Sequence, residues 1–329
     1  MTDRRNVLTP EALAMMDTIA RSGSFAAAAR ELGKVPSALT YSVRQLEEAL
    51  DVLLFDRSSR QAQLTAAGEE LLFEGRRLLS EMDAVANRVR RVASGWETQL
   101  EISVDDIISQ PTMFELVEAF CSVRPDDAPD SRGGPGTRLR LRADVLAGTW
   151  EALISGRADL AIGVAAAFSN PGGIEVRPLG EVQFVFVVAP HHALAHAAQP
   201  IVDAQVVQHR AVAVADTAQR ITPLTVNLLP GQDVLTVPST RAKLEALLRG
   251  LGCGYVPEPM ARPHLEAGHL VVRTTQREQI VRLHYAWRAE RGAAGLGRAL
   301  QWWLQRLESP TTQRALIERH AGPLDDVVS

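Results

Sequence analysis

Cysteine is nearly absent: the 329 residues contain two, Cys121 and Cys253, with no metal-type spacing between them. So few thiols fit a reducing compartment, and a buried free cysteine is the commoner state for each than a redox pair. No apolar stretch approaches the ~20 residues of a membrane span, and the N-terminal run MTDRRNVLTPEALAMM lacks the uninterrupted apolar core of a signal peptide. The expected location is therefore cytoplasmic, with no membrane partner. Charge of one sign is missing too. The net charge is −4, and acidic and basic residues roughly cancel over the first ninety positions, so any footprint for a polyanion has to be local. There is no Gly-x-Ser-x-Gly elbow, and neither cysteine sits in a Cys/His frame. The glycines of Gly250-Leu-Gly252-Cys-Gly254 precede a strand where a phosphate loop would follow one. His191, His192 and His196 lie on a strand end and loop, without the i, i+4 spacing of a helical metal pair. No enzymatic activity, cofactor or metal is expected.

What is present begins with the stretch from Ser24 to Leu50. Phe25, Ala28, Ala29 and Leu32 recur at helical spacing, Gly33 marks a turn, and Leu39, Val43, Leu46 and Leu50 form the inward stripe of a second helix. Pro36 suits a first helical position, and Val35 before it is a poor cap that leaves neighbouring amides free for an anion. Ser37, Thr40, Tyr41 and Arg44 share the opposite face, where each can hydrogen-bond to bases or phosphates. Taken alone, this pattern equally describes one hairpin of an all-α core. The residues that follow favour the first reading. A short apolar piece, a polar tip carrying Arg57 and Arg60, and a second short piece closing on Leu64 read as a wing. Thr9-Pro10-Glu11 starts a further helix, with Leu13, Met16 and Ile19 on its buried side.

The run from Thr9 to Gly68, with F-A-A-A-A-R-E-L, S-A-L-T-Y-S-V-R-Q-L-E-E, L-F-D-R-S-S-R and L-T-A-A-G-E, resembles the winged helix-turn-helix of LysR-type transcriptional regulators. Pro36 and Tyr41 depart from it, standing where many members have Gln and Arg. The resemblance implies contact with double-stranded DNA through Ser24, Pro36, Ser37, Thr40, Tyr41 and Arg44, and through Arg57 and Arg60 on the wing. It also leaves room for RNA polymerase as a further partner.

From Thr65 to about Ala93 there is no proline, and Leu71, Leu78, Met82, Val85, Val89 and Val92 make a heptad-like seam. At ~1.5 Å per residue such a helix would run about 40 Å with its seam unburied unless a second copy covers it. The alternative is packing on the chain's own C-terminal part. The resemblance implies the former, a homodimer or homotetramer held by linker helices.

After Ser94-Gly95-Trp96 the pattern alternates: a strand at 100–104, a helix at 111–123, a strand at 138–143, a helix at 149–155 and a buried strand at 158–163. Alternation of this kind predicts a parallel sheet with helices on both faces. The words G-T-W-E-A-L-I-S-G-R-A-D-L-A-I-G resemble the regulatory domain of the same family, whose two α/β subdomains resemble type II periplasmic binding proteins. Strands are expected at 182–189, 211–215, 233–238 and 252–256, a capped helix at 239–251, a return to the first subdomain at 270–272, then a strand at 280–286 and a helix at 296–307. The polar, Gly- and Pro-rich segment 126–136 reads as a mobile loop. The expected division is 1–64 for DNA binding, 65–94 for the linker and 95–308 for an effector domain (subdomain I at 95–163 and 270–308, subdomain II at 164–269), with 309–329 as a frayed or disordered tail.

Open α/β sheets bind ligands off the carboxyl ends of their strands. That rule selects Asp105, Asp106 and Ile107, then Leu146 and Thr149, then Ala215, Asp216 and Thr217, and finally Ser239 and Thr240 as a small-molecule effector site. Asp105 and Asp106 could instead cap the following helix, Thr149 its own helix, and Asp216 begin a turn. If the two carboxylates face the cleft, they favour a donor-rich ligand such as a nucleoside, polyol or amine.

Overall fold

The computed structural model describes residues 7–56, 62–124, 135–165, 172–277, 279–289 and 295–320. The chain divides into two compact units at Asn87/Arg88. In the first, α1 (Pro10–Ser22) is capped by Thr9, whose hydroxyl accepts from Ala12 N at 3.2 Å, and ends on Gly23 in a left-handed conformation. α2 (Phe25–Glu31) and α3 (Pro36–Leu50) follow. Met16, Ile19, Ala28, Leu39, Leu46 and Leu54 are fully buried where the three helices meet, and Phe25 meets Phe55 edge to face. Phe55 and Leu64 pair as an antiparallel bridge at the base of the expected wing. The tip with Arg57 and Arg60 lies outside the described residues.

The long helix α4 runs Ala66–Ser94. Its start is fixed by Thr65, which donates to Leu53 O at 2.6 Å and accepts from Gly68 N at 3.1 Å. A Cβ at position 68 would fall 2.1 Å from Leu54 O, so only glycine lets the helix come this close to the strand leading into the wing.

The second unit is built on a mixed sheet. β1 (Gln99–Asp105) pairs in parallel with β2 (Arg138–Asp144) and β3 (Leu160–Ala165), with α5 (Gln110–Cys121) and α6 (Ala147–Ile154) as the crossovers. Most of the loop expected at 126–136 lies outside the described residues. β4 (Ile174–Val188) is a 15-residue strand, about twice as long as the expected 182–189, because its first half pairs with the returning strand. Beyond it come α7 (Asp203–Val206), the parallel pair β5 (Ala211–Val214) and β6 (Val234–Val237), α8 (Thr240–Leu248), β7 (Gly254–Pro257) and α9 (Glu258–Glu266).

The structure corrects the expected return. Residues 271–272 form β8 (Val271–Val272), which pairs with Val187 and Val188 at the second-lobe end of β4. The crossing back is made by β9 (Gln279–Arg288), antiparallel to both β4 and β3. The parallel pairing expected from the alternation at 100–163 is present in β1, β2 and β3, while two long antiparallel strands link the lobes.

α10 (Arg298–Leu307) and α11 (Pro310–Glu318) close the first-lobe core around Trp303, Tyr285 and Phe120. The described part of the expected tail is thus a packed helix rather than a frayed end. Leu316 and Ile317 are buried, and Ser109 N donates to Leu316 O at 2.8 Å. Two adjacent large apolar residues after a proline at a first helical turn provide enough apolar surface to dock a short helix.

Candidate nucleic-acid interface and effector cleft

On α3 the apolar positions Leu39, Val43 and Leu46 turn inward, so the residues between them must face out. Ser37, Thr40, Tyr41 and Arg44 are all exposed, Tyr41 by 64%. Thr40 donates back to Pro36 O at 3.0 Å, and the Tyr41 hydroxyl accepts from Gln45 Nε2 at 3.1 Å, which pins the ring along the helix. Pro36 occupies the first turn, and Val35 supplies no side-chain cap, so the amides at this helix start remain open to an anion. Ser24 caps α2 by accepting from Ala27 N at 3.2 Å, which places it at the start of the supporting helix. Sequence reasoning missed Glu47. Buried on the inner side of α3, it accepts from Leu54 N at 2.9 Å and Phe55 N at 3.4 Å and so fixes where the wing leaves the core. A carboxylate one residue after the apolar stripe position Leu46 was the available signal.

Of the expected seam, Leu78, Met82 and Val85 stand out from α4 at 52%, 52% and 47% exposure. Leu71 does not join them: it packs on the helix-turn-helix core, one turn after Gly68 brings α4 close. The side chains of Val89 and Val92 lie outside the described residues.

The expected cleft residues converge, and they bind one another. Asp105, buried at the end of β1, accepts from Ile107 N at 3.2 Å and Leu146 N at 3.1 Å, and the Thr149 hydroxyl lies 3.4 Å from the same carboxylate. Burial, and then the charge of Asp106 beside it, pushes the Asp105 carboxyl well above the usual carboxylate range against these bonds. Leu146 adopts φ 54°, a left-handed conformation costing ~1–3 kcal/mol for a side-chain-bearing residue, and it delivers its amide to Asp105. Ile107 packs instead against the first-lobe core.

Asp106 caps a helix of the other lobe. It accepts from Thr240 N and, at 2.9 Å, from the Thr240 hydroxyl, while Ser239 caps the same helix through Ala242 N at 3.1 Å. Burial raises the Asp106 carboxyl, and the Thr240 bonds and the nearby Lys243 charge oppose the rise. Asp216 accepts from Ala147 N at 3.2 Å, Gly148 N at 3.1 Å, Ala218 N at 2.7 Å and Leu224 N at 2.7 Å. It both begins a turn and caps α6 across the cleft. Thr217 accepts from Val145 N at 2.9 Å, and a Cβ on Gly148 would fall 1.8 Å from the Thr217 hydroxyl. Ala215 is held to Val237 O at 2.8 Å.

A residue outside the expected set completes the clamp. Glu151, buried within the apolar helix α6, accepts from Gln219 N and Arg220 N at 2.8 Å each and from Arg157 at 2.7 Å. A lone carboxylate in T-W-E-A-L-I is the sequence trace of that buried anion. The first turn of α6 and Glu151 thus hold the loop after β5, and Asp106 holds the start of α8. For the three histidines, the structure gives a local role to one: His192 Nδ1 accepts from Leu194 N at 3.2 Å. Burial pushes the Cys253 thiol up to about 11, which keeps it unreactive at neutral pH.

Comparison with known proteins bears on both sites. Residues 10–69 match the model described as bacterial regulatory helix-turn-helix protein, lysR family, and residues 93–309 match the LysR substrate binding domain. The probable HTH-type transcriptional regulator YhaJ of Escherichia coli K12 is 38% identical over 304 residues, covering 92% of this chain and 97% of the relative. The HTH-type transcriptional activator AllS of Klebsiella pneumoniae is 32% identical over 268 residues, covering 82% and 96%. Among solved structures, full-length CbnR complexed with its target DNA superposes with a TM-score of 0.53 at 18% identity, over 90% of this chain and 98% of that one. A full-length variant of AphB gives 0.53 at 18% identity, over 94% and 99%. With both of its parts matched in order along one chain, the protein belongs to the LysR family of bacterial helix-turn-helix regulators.

Proposed function

We propose that this chain is a cytoplasmic DNA-binding transcriptional regulator, without catalytic activity, in which a small-molecule effector bound in the α/β unit changes how the winged helices engage operator DNA. The observation that carries this reading is the set of cross-lobe contacts from Asp106, Asp216 and Glu151, a two-sided clamp on which a ligand can act. Only a ligand with different affinity for open and closed arrangements shifts a regulator between them. The effector subsite is read as Asp105, Asp106, Thr149, Asp216 and Thr217. The DNA-reading face is taken as Ser37, Thr40, Tyr41 and Arg44. The absence of any membrane-spanning helix among the described residues accords with the proposed location. Leu78, Met82 and Val85, exposed at helical spacing, support a homodimer through the linker helices, with pairing of dimers giving a tetramer.

A second reading draws on the same contacts: the cleft polar groups are already satisfied, as in an effector-independent architectural DNA-binding protein. A thermal-shift screen with metabolites, run beside a footprint on DNA flanking the protein's own coding region, separates the two. A compound that raises Tm and alters the footprint supports effector control, and a footprint with no responsive compound supports the second reading.

A further inference from the structure

The chain has 35 lysines and arginines, and only Lys34 and Lys243 among them are lysine. Lys34 is exposed on the turn before α3. Lys243 is 8% exposed, three residues into α8, and its ammonium makes no hydrogen bond or ion pair with any described residue. The Asp106 charge acts on it only through space. The Asp106 carboxylate is engaged on Thr240, and the Cys253 thiol is held neutral by burial. Burial pulls the Lys243 pKa down to about 8, so the group still carries its charge for most of the time at neutral pH. An ammonium largely withdrawn from water and without a hydrogen-bonding partner is costly, and an anion that reaches it would lower that cost.

Lys243 lines a cavity inside the second lobe, bounded by Phe186 and Tyr255 from the sheet, by Val212 and Gly254, and by Val226 and Leu229 from the segment before β6. None of the cleft residues named above lines it. A Cβ at Gly254 would sit 3.2 Å from Lys243 Cε and from Val212 O, so this wall lies close against the lysine stem. The other charges at the cavity are satisfied, Arg277 pairing with Asp203 at 2.5 Å, and the neutral Tyr255 hydroxyl shares a 2.6 Å hydrogen bond with Thr275. Gln232 spends its amide on Val206 O and His209 O. The site therefore offers one unpaired cation in a mixed lining whose apolar side is Phe186, Val226 and Leu229. The space for a water-sized group is about 20 Å³, room for little more than one such group. A longer body requires the 226–232 wall, which carries no helix or strand, to move outward.

We propose that this cavity is an anion site of the second lobe, distinct from the cleft, taking a small carboxylate whose charged end pairs with Lys243 and whose short hydrocarbon part lies against Val226, Leu229 and Phe186. Hydrated polyanions such as sulfate, with no hydrocarbon part, do not suit the apolar side chains of Val226, Leu229 and Phe186. The link to the cleft is physical, since Lys243 lies one helical turn from Thr240, which Asp106 grips.

With only two lysines, the full-length chain carrying 13C- and 15N-labelled lysine gives a direct readout. Sodium acetate and sodium butyrate, at constant ionic strength against sodium chloride and butyramide, are titrated into it. The carboxylates should shift the Lys243 signals saturably and raise its titration midpoint from about 8 by about one unit or more, while Lys34 stays in place. Lys243→Met, which removes a buried charge, should fold, melt at or above the wild-type temperature and lose any butyrate-dependent rise in Tm. The site is overturned if neither carboxylate moves Lys243, if chloride moves it equally, or if Lys243→Met keeps the butyrate stabilisation. Such a failure leaves the cleft reading standing, because that reading is tested at Thr149 and Asp216.

Discussion

Asp106 and Thr240 stand 134 positions apart in the chain, yet the Asp106 carboxylate accepts both the amide and the hydroxyl of Thr240 and joins the loop after β1 to the start of α8. Removing it should loosen the cleft without unfolding either lobe, because Ser239 still caps α8. Asp106→Ala is expected to cost ~1–3 kcal/mol at this contact, seen as amide exchange roughly ten- to a hundredfold faster at Thr240. Unchanged exchange would show that the lobes are held together by other contacts.

In the proposed effector site, Thr149→Val and Asp216→Ala should abolish the effector response and leave effector-free operator binding nearly intact. Isothermal titration with an identified effector checks this; wild-type affinity in both variants places the pocket elsewhere.

Arg44 is exposed on the outer face of α3 and makes no ion pair with any described residue. Arg44→Ala should weaken specific operator binding by ~1–3 kcal/mol, and Tyr41→Phe should change preference among operator variants more than overall affinity. Gel-shift titrations on matched and scrambled DNA distinguish these effects. If Arg44→Ala and Thr40→Ala both bind as wild type, the reading face is a different one.

Met82 and Val85 lie half-exposed on α4. Placing lysine at both would put charge into the proposed dimer seam and should convert the dimer to monomer in light scattering. An intact dimer for the double variant would exclude this seam as the interface.

Asp159 has a pKa raised to about 6, mainly because it is buried, while its bond from Glu101 N at 2.9 Å and the Arg288 charge act against the rise. The folded state then holds this proton more tightly than the unfolded chain does. Stability from this group is therefore greatest below pH ~4 and is lost as pH rises through 6, by ~3 kcal/mol in all. Asp159→Asn should flatten that part of the Tm profile between pH 4 and 7; a parallel profile for the variant would assign the slope to other groups.

Much of this was legible in the sequence. Helical spacing placed Leu39, Val43 and Leu46 inside and Tyr41 and Arg44 outside, because a 3.6-residue period with one apolar stripe admits one orientation. The strand-end rule brought Asp105, Asp106, Asp216 and Thr240 to one place, since parallel strands of a lobe present their carboxyl ends together. Four matters were decided only by the tertiary structure. The first is which strand returns: 271–272 and 279–288 are both β-prone, and pairing partners rather than composition chose between them. The second is the C-terminal helix, whose Leu316 and Ile317 make sense only against the first-lobe core. The third is what the cleft carboxylates touch, because a capping aspartate names no helix until the fold brings one to it. The fourth is Lys243, which in sequence is an ordinary helix lysine between Ala242 and Leu244. Its isolation comes from packing, because burial and the absence of a partner are properties of the assembled neighbourhood rather than of local residue order.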